Sequence, residues 1–185
     1  MFKHYNFYDE IVKNNFNVFC KKYLENYQII NSSSFDFIND VHKHHDNIYC
    51  KSLSYYFKNL SNKKNKISRI MRNMIGRGKK ITNDQYLESC LAQEFLTKKF
   101  EKKMLQYDFL LTPSTASVAP KIGQIEKVDT CLIWNFFGAP TISLPLFYDQ
   151  ELKLPFGLQI IATRYNDFSL LDFSDQIIKK IKYKF

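Results

Sequence analysis

Glycine is scarce in this chain, with 5 residues in 185, and none builds a G-x-S-x-G turn. The strained serine elbow of the α/β-hydrolases is therefore absent. No histidine follows His45, so a Ser-His-Asp triad has no local support in the later part of the chain. No apolar run approaches the roughly 18 residues of a membrane span. The opening MFKHYNFYDEIV has no uninterrupted apolar core and no small-residue cleavage site, so no signal peptide is expected. Cysteine is sparse too. Cys20, Cys50, Cys90 and Cys131 form no C-x-x-C pair and no metal-ligand spacing, and they read as reduced, mostly buried thiols of a cytoplasmic protein. Acidic residues are missing altogether between Asp46 and Asp84, where Lys51, Lys58, Lys63, Lys64, Lys66, Arg69, Arg72, Arg77, Lys79 and Lys80 lie.

What is present is the material of a globular fold. Apolar residues make up 45% and aromatics 16% of the chain, enough to bury a sizeable core. Proline is concentrated: Pro113, Pro120, Pro140, Pro145 and Pro155 all lie within 107–161, together with Gly123, Gly138 and Gly157. Between them sit three short apolar runs, Asp108–Thr112, Thr141–Leu146 and Phe156–Ala162. Runs of this length bounded by Pro and Gly read as buried strands. A helical piece ending at Gly138 separates the first two and suggests a parallel crossover unit. The expected fold class is α/β, with helices on a mixed β-sheet and a helix-rich N-terminal half. Residues 1–185 read as one domain: mainly helical over 1–106, a strand and loop core over 107–162, and a helix over 166–183.

Helical periodicity is clear in four places. Residues 9–27 place Val12, Phe16, Phe19, Cys20, Tyr23 and Tyr27 on one face. Ser32, Ser33 and Ser34 offer caps to a helix carrying Ile38, Val41, His45, Ile48, Tyr49, Tyr56 and Leu60. After a loop at 61–65, a short helix is expected to stop at Gly76 and Gly78. Thr82 and Gln85 form a capping box for a helix whose apolar face runs through Leu87, Leu91, Phe95, Phe100 and Met104. The last helix starts near Asn166 or Asp167 and is expected to bury Leu170, Leu171, Ile177, Ile178 and Ile181.

Three groups of residues invite a chemical reading. His42, Asp46 and Cys50 share a helical face beside His44 and His45, but no further ligand is evident, and histidines on a polar helix face explain them. The basic segment 51–80 suits RNA, acidic lipid or an acidic partner. Without it the chain carries 17 basic against 18 acidic residues. The richness in Lys, Asn, Ile, Tyr and Phe points to an A/T-biased genome, which raises lysine without nucleic-acid binding. Ser114, Thr115 and Ser117 follow the first strand at its C-terminal end, where α/β proteins place ligands. They serve either a pocket or the loop backbone.

Three motifs in order carry a resemblance: Asp108–Ser114 (D-F-L-L-T-P-S), Trp134–Pro145 (W-N-F-F-G-A-P-T-I-S-L-P) and Leu154–Ala162 (L-P-F-G-L-Q-I-I-A). The chain resembles the C-terminal part of the amidase-signature hydrolases, most closely over 82–178. Asn47–Asn59 is similar to the helical region before these motifs in some general amidases. The resemblance implies amide hydrolysis by a Lys-Ser-Ser triad with a Gly/Ser-rich loop, without cofactor or metal. No Gly-Gly-Ser-Ser-Gly-like segment is present here, so no catalytic residue carries over. In the family, the loop and the lysine lie upstream of the part that this chain matches. Thr112, Pro113, Ser114, Thr115, Trp134, Asn135, Gly138 and Gln159 are implied as one wall of the substrate pocket. The implied partners are a small-molecule amide and the missing N-terminal half, not a membrane. The stretch KIGQIEKVDTCLIWN departs from the Asp-to-Asn spacing usual in the glutamyl-tRNA amidotransferase member of the family, which favours a general amidase. An incomplete sheet would leave the isolated chain marginally stable or prone to aggregate. The alternative reading is a non-catalytic binding or scaffold module that uses segment 51–80.

Overall fold

The computed structural model describes residues 8–30, 35–60, 65–124, 126–127 and 130–181. These group into two compact units, Met1–Asp36 with Phe100–Phe185, and Phe37–Lys99. The caps expected at Ser32–Ser34, the start of the loop at 61–64, Lys63, Lys64 and the end of the last helix beyond Ile181 lie outside the described residues.

The first unit holds helix α1 (Glu10–Tyr23), strand β1 (Leu110–Pro113), helix α5 (Cys131–Phe137), strands β2 (Thr141–Asp149) and β3 (Leu154–Ile161), and helix α6 (Asp167–Ile181). Its three strands are ordered β1-β3-β2, and both pairings are antiparallel. The outer strands β1 and β2 therefore run in the same direction, as a crossover through α5 requires, but β3 lies between them. The expected direct parallel pairing and mixed sheet are replaced, among the described residues, by an antiparallel sheet. The reason is local. Lys153 takes a left-handed φ of 55°, and the buried Asp149 carboxylate accepts from Glu151 N at 2.9 Å and Leu152 N at 3.0 Å. That tight turn folds β3 back along β2 before it can pair elsewhere. Proline fits where no ladder donor is needed: Pro113 ends an edge strand, and Pro145 sits at the register shift between Leu144 and Phe147.

Side-chain alternation divides β3 into two faces. Phe156, Leu158 and Ile160 join the core formed with Val12, Phe16 and Phe19 of α1 and Leu170, Phe173 and Ile177 of α6. Each such side chain, fully buried, stabilises the fold by about 1.5–3 kcal/mol. In α6, Phe173 and Ser174 are buried while Leu171 is exposed, so the expected face is displaced. Gly157, Gln159 and Ile161 point to the other side of the sheet, where α5 packs. There Trp134, Phe137, Phe100 and Phe35 form an aromatic cluster, with Phe100 and Phe137 stacked at 4.6 Å.

The second unit is helical. Helix α2 (Val41–Tyr56) is flanked by 3-10 turns at Asp36–Asp40 and Lys58–Leu60, and α3 spans Arg69–Lys80. Ile38, Val41 and Cys50 are buried, but Tyr49 and Tyr56 are exposed. Helix α3 does not stop at its glycines. Gly76 and Gly78 lie inside it, and a Cβ on Gly78 would sit 1.8 Å from Cys50 O of α2. That glycine marks a close helix crossing, not a terminus. Helix α4 (Asn83–Met104) opens with the expected capping box: Gln85 N donates to Thr82 Oγ1 at 3.1 Å, and Thr82 N to Gln85 Oε1 at 3.0 Å. Its expected apolar face is buried only at Phe100 and Met104; Leu87, Leu91 and Phe95 are 58, 59 and 58% exposed. The side that meets α2 is polar instead, with His44 and Asn47 on Ser89 Oγ at 3.3 and 3.0 Å.

Candidate functional site

A buried run of polar side chains links the end of β1, the middle of β3 and the start of α5. Strand register sets Thr112 opposite Gln159, and Gln159 opposite Ser143, so three polar residues form one row across the sheet. Thr112 Oγ1 donates to Gln159 Oε1 at 3.4 Å. Gln159 Nε2 donates to Cys131 Sγ at 3.2 Å, and Cys131 Sγ donates to Ser114 O at 2.9 Å. On the other side, Thr130 Oγ1 lies 3.4 Å from Thr112 Oγ1 and 2.9 Å from Tyr8 Oη. Because Thr112 spends its only proton on Gln159, Thr130 donates to Thr112 and Tyr8 donates to Thr130. The chain of donors then runs in one sense from the Tyr8 phenol to the Ser114 carbonyl. The 3.4 Å links are long for hydroxyl bonds and individually weak.

Ser114 is tied down rather than poised for attack. Its N–H donates to Gly157 O at 2.7 Å, and its Oγ accepts from Gly157 N at 3.0 Å. Gly157 makes this possible: a Cβ there would lie 2.7 Å from Ser114 Oγ and 2.9 Å from Leu144 O. The next residue differs. Thr115 Oγ1 is buried and has no hydrogen-bond partner among the described residues, an expensive condition for a hydroxyl. Asp9 N donates to Ala116 O at 2.8 Å, and the Asp9 carboxylate pairs with Lys127, which ties the start of α1 to the loop after β1.

Of the residues implied by resemblance, Thr112, Pro113, Ser114, Thr115 and Gln159 converge here. Gln159 is 5% exposed and lies on the face opposite Phe156, as strand alternation requires. Trp134 is 1% exposed and packs on Phe100 at 6.0 Å. Asn135 is exposed, and Gly138 caps the far end of α5 in a left-handed conformation (φ 61°), its N–H donating to Asn135 O at 3.1 Å. Arg164 closes that end, donating to Phe137 O at 3.0 Å beside Glu101. Sequence pattern does not single out Tyr8, Thr130 or Cys131 for this network. Thr130 alone leaves a trace, as a cap-type residue ahead of the apolar helix LIWNFF. Its hydroxyl bonds Tyr8 and not the helix.

The histidine segment does not converge on a metal. Among the described residues no group of three potential ligands is assembled. Asp46 is paired with Arg77 at 2.9 Å, His44 bonds Ser89, and His45 stacks on Tyr49 at 5.6 Å. Burial pushes the Cys50 thiol up, with Asp46 adding to it, and burial raises the Cys20 thiol to about 11. Both are held as thiols, poor metal ligands and poor nucleophiles.

A family model described as amidase matches residues 11–171. The chain belongs to the amidase family. The Borreliella burgdorferi glutamyl-tRNA(Gln) amidotransferase, in its A-type polypeptide, is 31% identical over 141 residues, 69% of this chain and 28% of that relative. A crystal structure described as an amidase superposes with a TM-score of 0.80 at 19% identity, over 90% of this chain and 41% of that one. For 6-aminohexanoate cyclic dimer hydrolase the TM-score is 0.77 at 16% identity, over 95% of this chain and 42% of that one. The chain thus spans 28% of the length of the Borreliella relative. No helix among the described residues is long and apolar enough to cross a membrane.

Proposed function

We propose that this chain is the C-terminal segment of an amidase that hydrolyses a carboxylic amide to an acid and ammonia or an amine. It supplies part of the sheet and one wall of the pocket, while the Lys-Ser-Ser triad and the oxyanion loop come from the remainder of the enzyme. The observation that carries this reading is the convergence of Thr112, Ser114 and Gln159 from two of the family-like motifs into one polar network. Thr112 and Gln159 are buried, so their role is to position the wall. Thr115, with its unmet hydroxyl, is the group that a substrate or the rest of the enzyme satisfies. The reading commits to the amide group and favours a general amidase over a glutamyl-tRNA amidotransferase.

The test is amide hydrolysis by this chain alone and co-expressed with the reading frame immediately upstream, on aliphatic and aromatic amides. Activity only with the upstream product supports the proposal; activity from the chain alone overturns the claim that its catalytic residues lie elsewhere. In the assembled enzyme Gln159→Leu should lower kcat/KM about tenfold by loosening the wall. The second reading, a binding module using segment 51–80, is weakened by side chains already engaged within that unit. Lys51 donates to Ile81 O at 2.5 Å and Arg72 to Ile67 O at 2.7 Å, and Arg77 pairs with Asp46. Saturable RNA binding with a steep salt dependence would revive it.

A further inference from the structure

Helix α4 carries an apolar stripe that the described residues leave uncovered. Leu87, Leu91 and Phe95 follow one another at i, i+4 and i+8, and each is more than half exposed. Spacing of this kind places three side chains along one side of a helix. Exposed large apolar residues gathered in a row mark an interaction surface more often than residues scattered singly. The opposite side of α4 is already used, since Ser89 is buried under His44 and Asn47 of α2.

The charges on this helix say what fits the stripe. Asp84 and Glu88 lie at its N-terminal end, and Lys98 and Lys99 at its C-terminal end. Lys98 bonds Glu94 at 2.6 Å, and Lys99 lies over the Phe95 ring at 4.5 Å. At 100° per residue, Asp84 and Lys98 each fall within about 20° of the Leu91 direction. They stand equally far from Leu91 on either side, about 10 Å along the axis. The seam therefore reads, in order, acidic, apolar, apolar, apolar, basic.

We infer that this stripe is the contact surface of a two-fold dimer, in which α4 of one chain packs antiparallel on α4 of a second copy. With the two-fold axis at Leu91, Leu91 meets the partner's Leu91, Leu87 meets the partner's Phe95, and Asp84 meets the partner's Lys98. Each apolar residue gains an apolar neighbour and each charge an opposite one. A parallel pairing sets Asp84 against Asp84 and Lys98 against Lys98, which opposes it. An unrelated acidic helix or an unrelated basic helix matches only one end of the seam, whereas a reversed copy of α4 matches both. The isologous arrangement also closes on itself and does not propagate into fibres. This inference is independent of the proposed amide hydrolysis.

Sedimentation velocity on the full chain over a concentration series tests it. The expected result is a reversible dimer of twice the 22.1 kDa chain mass. Leu91→Asp should leave a monomer with an unchanged circular dichroism spectrum. Asp84→Lys should raise the dimer Kd about tenfold or more by placing like charges together, and Asp84→Lys combined with Lys98→Asp should restore it. The charge variants alter exposed groups only, so they keep the test decisive even where Leu91→Asp disturbs folding. A monomer at every concentration overturns the inference. So does a dimer indifferent to Leu91→Asp with its fold intact, a ladder of larger species in place of a dimer, or a charge swap that fails to restore association.

Discussion

The sheet-bearing unit and the helical unit use glycine for different purposes. In the sheet unit, Gly138 supplies a left-handed cap to α5, and Gly157 lets Ser114, Ser143 and Leu144 close around β3. In the helical unit, Gly76 and Gly78 share one helix, yet a Cβ on the first would meet nothing within 4 Å, while one on the second would strike the backbone of α2. The same letter therefore marks a terminus, a tight strand crossing, a helix crossing or nothing in particular. Three-dimensional neighbours decide which, and local propensity does not.

The widest contrast is available within α3 itself. Gly78→Ala should destabilise the helical unit by about 3 kcal/mol or more, because the clash with Cys50 outweighs the helix propensity gained. Urea denaturation followed by circular dichroism reads this directly, and a neutral outcome would rule out the close crossing. Gly157→Ala comes next, with a cost of about 1–3 kcal/mol. Hydrogen exchange should show that loss in β1 and β2 and spare α3. Gly76→Ala should act in the opposite sense and stabilise by about 0.8–1 kcal/mol. If both α3 variants shifted stability alike, the distinction drawn between the two glycines would fail.

The smallest effect concerns pH and belongs to the helical unit alone. Burial holds the His45 imidazole below its ordinary value, with Asp46 opposing and His42 adding to the shift. The unfolded chain then takes up the proton before the folded one does. Stability is fully present above the ordinary imidazole range and is lost as pH falls through it. His45→Gln should flatten that dependence in thermal melts between pH 8 and 5, and an unchanged slope would assign the effect to other groups.

Much of the sheet unit is legible in the sequence because its signals are local. Prolines and glycines bracket the three strands, and period-2 alternation puts Gln159 opposite the Phe156 face. In the helical unit the T-x-x-Q box forms both of its bonds. The strand order is not legible, since a run of apolar residues does not say which neighbour it will pair with. The buried side of α4 escapes for a related reason. Leu87, Leu91 and Phe95 repeat at helical spacing, but the contact with α2 is made by Ser89, a residue without a periodic signal. In the site, Thr112 and Gln159 stand within motifs, whereas Tyr8 and Thr130 meet across 122 positions, where sequence pattern has no reach.

The position of β3 has a consequence for how the chain acquires its shape during synthesis. It is the last of the three strands to leave the ribosome and the central one in space. Until Ile161 has emerged, Leu110–Pro113 and Thr141–Asp149 lack their mutual neighbour, and the Thr112 hydroxyl lacks Gln159. The sheet and the polar network are thus completed together, late, by a single insertion. A nascent chain halted anywhere between β1 and β3 presents bare strand edges to whatever surrounds it, the circumstance in which chaperones matter most.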